Sequence, residues 1–192
     1  MGYQMIRAAA VIAAVLSVVS WADQVVLIAS GEASGPNVLV NPGFEEGTPP
    51  WQAWQAGFER TLDRSAQTGD ACIRLVSADP ETQYGACQEV VLNQRSPTPV
   101  VARAWSKAEN VSGSADPGYS LYLDILYNDG SHLWSQTASF PTGTHDWVQR
   151  EVMIAPEKPI KLVLCYVLLR GHTGTAWFDN IDLYVPDSSA MF

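Results

Sequence analysis

The chain has 192 residues, with 11 Lys and Arg against 20 Asp and Glu and a formal net charge of −9. Its length suits one domain with short flanking segments, and 47% hydrophobic against 16% charged residues excludes an intrinsically disordered chain. The acidic balance argues against nucleic acid, whose phosphates call for clustered Lys and Arg, and against anionic lipid surfaces.

Residues 1–22 read as a secretory signal peptide. Arg7 is the sole charge before Asp23, Ala8 to Ser20 is apolar or small throughout, and Ser20-Trp21-Ala22 offers small residues where a signal peptidase inspects the chain. The run falls short of the about 20 residues a membrane span needs. Cleavage after Ala22 is therefore expected, giving a secreted protein, extracellular or periplasmic, with no membrane insertion. Residues 23–36 form a lead-in that turns Gly-, Ser- and Pro-rich.

From Asn37 the chain is a succession of short β-like runs: Ala71–Ser77, Cys87–Leu92, Val100–Lys107, Tyr119–Tyr127, Val148–Ile154, Lys161–Leu169 and Ala176–Val185. Asn128-Asp129-Gly130 tolerates the positive φ of a tight hairpin and should fold Tyr119–Tyr127 onto Ser131–Ala138. Gly143 and the Gly171–Gly174 stretch mark further reversals. No window sustains a helical period beyond the leader. The expectation is an all-β chain, a β-sandwich jelly roll of two antiparallel sheets over 37–185, followed by a tail at 186–192. Cys72, Cys87 and Cys165 allow one disulfide in an oxidising compartment, in three possible pairings, or three buried thiols.

Three segments carry a resemblance. Leu39-Val40-Asn41-Pro42-Gly43-Phe44-Glu45-Glu46-Gly47 opens the sandwich, Ser65–Leu75 continues it, and Gly174-Thr175-Ala176-Trp177-Phe178-Asp179-Asn180-Ile181-Asp182-Leu183 closes it. In this order they resemble the carbohydrate-binding modules of the CenC type, the family 4/9-like β-sandwiches related to families 16 and 22, with a galactose-binding-like fold. Asp70-Ala71-Cys72 departs from that family's middle motif. The resemblance implies a structural calcium joining the first and last strands, with Glu45 and Asp179 as carboxylate ligands and carbonyl oxygens from Gly43 and the Ser65–Gly69 loop. Ca²⁺ takes about six to eight oxygens of this kind.

The resemblance also implies a glycan or polysaccharide as partner. Pyranose rings stack their C–H faces on Trp or Tyr and need a few fixed polar groups. The candidates are Trp51 and Trp54 in the first loop, Trp134 beyond the hairpin, and a patch of Arg103, Tyr122 and Asp124, in which Arg103 pairs with Asp124 across strands. Trp105, Trp147 and Trp177 follow strand alternation and are expected in the core. No Gly-x-Ser-x-Gly elbow, His-Glu-x-x-His pair or phosphate-cradling loop occurs. His132, His145 and His172 are too scattered for a metal site. The sequence thus predicts a secreted, non-catalytic sugar-binding module. The alternative is an extracellular assembly subunit whose sandwich contacts copies of itself or other surface proteins.

Overall fold

The computed structural model describes residues 35–62 and 66–186. The expected leader, most of the lead-in, Ser65 and the tail from residue 187 lie outside the described residues. Ten strands follow in chain order: β1 (Gln52–Gln55), β2 (Glu59–Leu62), β3 (Ala71–Ser77), β4 (Tyr84–Val91), β5 (Val100–Val111), β6 (Tyr119–Tyr127), β7 (His132–Ser139), β8 (Gly143–Ile154), β9 (Ile160–Leu169) and β10 (Gly174–Tyr184). No helix occurs among the described residues. The strands form two five-stranded antiparallel sheets, a first of order β1-β4-β9-β6-β7 and a second of order β2-β3-β10-β5-β8. The all-β sandwich expected from the sequence is what the chain adopts.

Alternation along the strands builds most of the interior. Tyr119, Leu121, Leu123, Ile125 and Tyr127 of β6 point inward, and Val100, Ala102, Ala104 and Ala108 of β5 are buried opposite them. Bulky side chains from one sheet thus meet small ones from the other, which is how a two-layer core fills without voids. A polar tie spans the layers: the Ser106 hydroxyl lies 2.5 Å from the Tyr119 hydroxyl and 2.7 Å from the Trp177 carbonyl. Burial pushes the Tyr119 phenol above its ordinary pKa, so it remains a neutral hydroxyl.

Strands β1 and β2 are not among the runs expected from the sequence. They are four residues each and largely polar, and they are the outermost strands of different sheets. Residues 52–62 cross from the edge of one sheet to the edge of the other through Gln55–Phe58, where Gln55 (φ 53°) and Gly57 (φ 80°) turn the chain. On the opposite flank, edge strands β7 and β8 are joined through Phe140–Thr142. Gly143, expected at a reversal, begins β8 directly after that crossing. The Asn128–Gly130 hairpin forms as expected, with Leu126 paired to His132.

The opening segment is laced to the last strand by hydrogen bonds. The Asn37 side chain accepts from the Leu183 N–H at 2.9 Å and donates to Asp182 Oδ1 at 2.8 Å, and the Ile181 N–H donates to the Pro42 carbonyl at 3.0 Å. Phe44 is fully buried behind this segment. None of the three cysteines forms a disulfide with another among the described residues; Cys72 and Cys165 are buried and Cys87 is half-buried.

Candidate functional site

The outward face of the first sheet brings aromatic and polar groups together. Register places Gln52, Cys87, Tyr166, Tyr122 and Thr137 opposite one another in a row across all five strands. One step along, Glu89, Leu164 and Asp124 line up; one step the other way, Trp54, Gly85, Leu168 and Ser120 do so. Trp54 leans edge-on toward Tyr166 (centroids 6.4 Å, 78°), and Tyr166 packs edge-on against Tyr122 (5.6 Å, 85°). The Arg170 guanidinium sits 5.2 Å from the Tyr122 ring centre. These rings and the carboxylates of Glu89 and Asp124 make a strip with apolar faces and polar margins.

Two backbone features shape this strip. A Cβ on Gly85 would lie 2.8 Å from Leu168 Cδ2, 2.9 Å from the Val167 carbonyl and 3.2 Å from Trp54 Cε3, so the missing side chain is what lets the indole settle on β4. On the far side, β6 and β7 slip register between Leu123 and Ile125, and Ser135 takes a φ of 62°. This bulge carries the Ser135 N–H to Asp124 Oδ1 (3.0 Å) and its hydroxyl to the Tyr122 hydroxyl (2.9 Å), fixing both site side chains. Beside it Trp134, 54% exposed, stacks on His132 at 4.4 Å and 10°. Burial pushes the Cys87 thiol up to about 11, so it is a poor nucleophile, and burial likewise raises the Tyr166 phenol.

Past Arg170 the strip meets a cavity of about 490 Å³ lined by Glu81, Gln83, Asp116, Gly118, Arg170 and Gly171. Its wall is braced by His172, 2% exposed, whose Nδ1 lies 2.5 Å from the Ser112 carbonyl and Nε2 3.0 Å from Asp116 Oδ1. Burial raises the Asp116 pKa, but the contacts from His172 and the Gly118 N–H outweigh it and hold the carboxyl below its ordinary value.

The sequence candidates separate on this frame. Trp54, Tyr122 and Asp124 share the outward face, with Trp134 at its β7 edge. Trp51 does not join them: it is 4% exposed, packs on Phe44 at 5.3 Å and donates its indole N–H to the Asn41 carbonyl at 3.0 Å, because the Asn41–Gly47 turn folds the loop back onto the core. Arg103 stands on the second sheet and pairs with Glu151, so the expected Arg103–Asp124 pair does not form. Successive strands β5 and β6 lie in different layers, which alternation alone does not reveal. Tyr166, Cys87, Glu89 and Arg170 join the site without having stood out in the sequence. Lys161–Leu169 is apolar on both faces, so nothing there marks Tyr166 as outward. Trp105, Trp147 and Trp177, expected in the core, are half-buried on the outward face of the second sheet.

At one end of the sandwich Gly43, Glu45 and Asp179 converge. A Cβ on Gly43 would lie 3.5 Å from Asp179 Oδ1. Asp179 is fully buried and accepts N–H bonds from Thr68 (2.9 Å) and Asn180 (2.7 Å); Glu45 Oε1 accepts from Asp70 and Ala71, each at 3.0 Å. Burial, aided by the Glu45 charge and opposed by those N–H groups, pushes the Asp179 carboxyl up to about 6. Gly69 (φ 63°) lets Glu45 pass, since a Cβ there would collide with Oε1. Among the described residues, no three His, Cys, Asp or Glu side chains gather around one point.

The fold is that of carbohydrate-binding modules. A family 61 module in complex with β-1,4-galactotriose superposes with a TM-score of 0.55 at 18% identity, over 78% of this chain and 99% of that one. A family 16 module gives 0.58 at 18% over 77% and 99%. The CBM22-1 xylan-binding domain of Paenibacillus barcinonensis Xyn10C gives 0.57 at 17% over 82% and 99%. No family model matches the sequence, so the particular CenC-type membership expected above is not shown.

Sequence relatives point elsewhere. The chain is 31% identical over 170 residues to the tRNA nuclease WapA of Bacillus subtilis (strain 168), covering 85% of this chain and 7% of that protein. The tRNA3(Ser)-specific nuclease WapA of Bacillus spizizenii is also 31% identical over 170 residues, with the same coverage. The chain thus spans about 7% of the curated relatives it matches. These names overturn the expectation of a non-catalytic module, its assembly-subunit alternative and the expectation that no enzyme is involved; they also remove the support for excluding nucleic acid as a partner.

Proposed function

We propose that the chain is the sugar-recognising β-sandwich segment of a tRNA-nuclease-type protein, holding an extended glycan along the outward face of the first sheet. The observation that carries this reading is the Trp54–Tyr166–Tyr122 ladder, flanked by Arg170, Glu89 and Asp124. Rings at this spacing offer C–H stacking surfaces, and the flanking charged groups offer donors and acceptors for hydroxyls. The nuclease names of the relatives support the second half of the reading: glycan capture brings such a polypeptide to a surface, and action on tRNA is a separate step. The leader-like residues 1–22 support export.

Affinity electrophoresis through gels holding xylan, β-glucan, mannan or β-1,4-galactan tests it. One polymer should retard the chain, and Tyr122→Ala or Trp54→Ala should weaken that retardation by about tenfold in apparent affinity, the size of one lost stack. Migration indifferent to every polymer sinks the reading. Incubation with total tRNA is the companion assay: cleavage would put the relatives' named activity within these residues.

We also propose a calcium ion between Glu45 and Asp179, with the Gly43 carbonyl as a further ligand. The donor set fits a hard cation: two carboxylates flank Gly43 and interact electrostatically, one is fully buried, and each is held in place by backbone N–H groups. Calcium would supply charge compensation there and pin the opening turn to β10. Excess Ca²⁺ should raise the melting temperature, by linkage about 2.7 kcal/mol at a hundredfold excess over Kd, and Glu45→Ala should abolish the rise. A melting temperature indifferent to chelator removes the ion from the account.

A further inference from the structure

The ring ladder uses one broad face of the sandwich; the other carries a second, independent arrangement. Register aligns Glu59, Arg74, Trp177 and Lys107 across β2, β3, β10 and β5, and Trp147 of β8 completes the row beside Lys107. The Lys107 ammonium stands 5.3 Å from the Trp147 ring centre and 4.9 Å from that of Trp177, so the two indoles lie within about 10 Å of each other, as two strand spacings require. Trp105 adds a third half-buried indole along β5. At the β2 end the row opens into a cavity of about 260 Å³ lined by Gly57, Phe58, Glu59, Arg74, Val76 and Tyr84. There Arg74 Nη2 pairs with Glu59 Oε2 at 2.7 Å, while Arg74 Nε makes no hydrogen bond, so Glu59 alone fixes the guanidinium fork.

The described cations on this face are already committed. Arg103 pairs with Glu151, Arg74 with Glu59, and Lys107 lies between indoles. A phosphate chain would meet Glu59, Glu109, Glu151 and Asp182 with no cluster of uncommitted cations among the described residues to hold it. A second copy would bring two chains of net charge −9 together. An uncharged chain of hydroxylated rings fits: indoles suit its C–H faces, and an arginine–carboxylate pair presents donors and acceptors side by side to neighbouring hydroxyls.

We propose that the outward face of the second sheet is a second binding platform for an uncharged polysaccharide, with Trp147 and Trp177 as stacking rings and the Arg74–Glu59 pair reading hydroxyls in the terminal cavity. It lies on the opposite side of the sandwich from the ring ladder and stands or falls separately from it.

The full chain is run through gels holding β-glucan, xylan, mannan or β-1,4-galactan as wild type, Tyr122→Ala, Trp147→Ala, Arg74→Ala and the Tyr122→Ala/Trp147→Ala pair. Thermal melts check folding, and Arg74→Ala is the surface change that keeps the core intact. Expected is retardation that survives Tyr122→Ala in part, falls about tenfold in apparent affinity with Trp147→Ala or Arg74→Ala, and vanishes in the double variant. If both second-face variants migrate like wild type while Tyr122→Ala alone removes all retardation, the platform is overturned and the ladder stands. If Tyr122→Ala is silent and the second-face variants abolish retardation, the ladder falls and the platform stands. No retardation of wild type overturns both. Retardation by tRNA, or a concentration-dependent dimer in sedimentation, that Trp147→Ala abolishes makes the face a nucleic-acid or self-association surface and overturns the platform as well.

Discussion

The two broad faces of the sandwich arise from the same alternation yet hold their polar groups differently. On the first sheet, Glu89 and Asp124 flank a ladder of rings and neither forms an ion pair among the described residues. On the second, Arg103 and Arg74 are committed to Glu151 and Glu59, and Lys107 to two indoles. Carboxylates outside ion pairs, beside half-buried rings, leave hydrogen-bonding capacity for a ligand, whereas a face whose cations are paired recognises by shape and stacking first. Aromatic content alone therefore does not rank two surfaces; the state of the charges around the rings does.

The largest loss should come from removing what both faces share. Phe178 is fully buried and makes edge contacts with Tyr119 (5.9 Å) and Phe140 (5.7 Å). Phe178→Ala should cost about 3–5 kcal/mol in chemical denaturation and weaken both faces together. If one face keeps full affinity at the wild-type melting temperature, the layers are not coupled through this cluster. A narrower change acts on the first face alone. Gly85→Ala should cost about 1–3 kcal/mol by overpacking against Leu168 and the Val167 carbonyl and displace Trp54, lowering affinity at the ladder with the second face unaltered. An unchanged melting temperature would show that β4 yields there.

The second face is sharpened by a double-mutant cycle on Arg103 and Glu151, whose side chains are 16% and 25% exposed. A coupling of about 1 kcal/mol is expected for a pair so placed, and zero would mean that the contact has no energetic weight. The smallest effect belongs to the rim of the first face. Asp116 has a folded pKa below its ordinary 3.8, so the stability it adds is present above that value and fades as pH falls through it. Asp116→Asn should therefore flatten the acid limb of the melting-temperature profile below about pH 4 and leave the neutral region nearly parallel to wild type.

Much of the architecture is legible in the sequence, and the departures share causes. Ala71–Ser77 and Tyr119–Tyr127 match their strands to the residue, because period-two burial and bounding turn residues are strong local signals. β1 and β2 leave no such trace, because edge strands of four mostly polar residues have no buried face to announce them. Trp105 and Trp177 turn outward against expectation because alternation says which residues share a face but not which face turns inward. Arg103 and Asp124 stand apart for the related reason that neighbouring strands in sequence occupy different layers here. The loop composition around Trp51 suggests exposure, whereas its contact with Phe44 depends on the distant closure of a turn. Gly43 and Glu45 do meet the sequence-distant Asp179 at one end of the fold.

The segment 52–62 has a consequence for the order in which the molecule opens. It closes one flank of the sandwich by adding a single short strand to each sheet, and each has only one neighbour. Amides there should exchange with solvent before those of β6, β9, β5 and β10, as a local opening that leaves the central strands paired. Because this one segment carries Trp54 to one face and Phe58 and Glu59 to the cavity on the other, that opening would dismantle an edge of each surface at once. Anything that fastens one edge slows the fraying of the other, so occupancy of either side registers as hydrogen-exchange protection on its opposite.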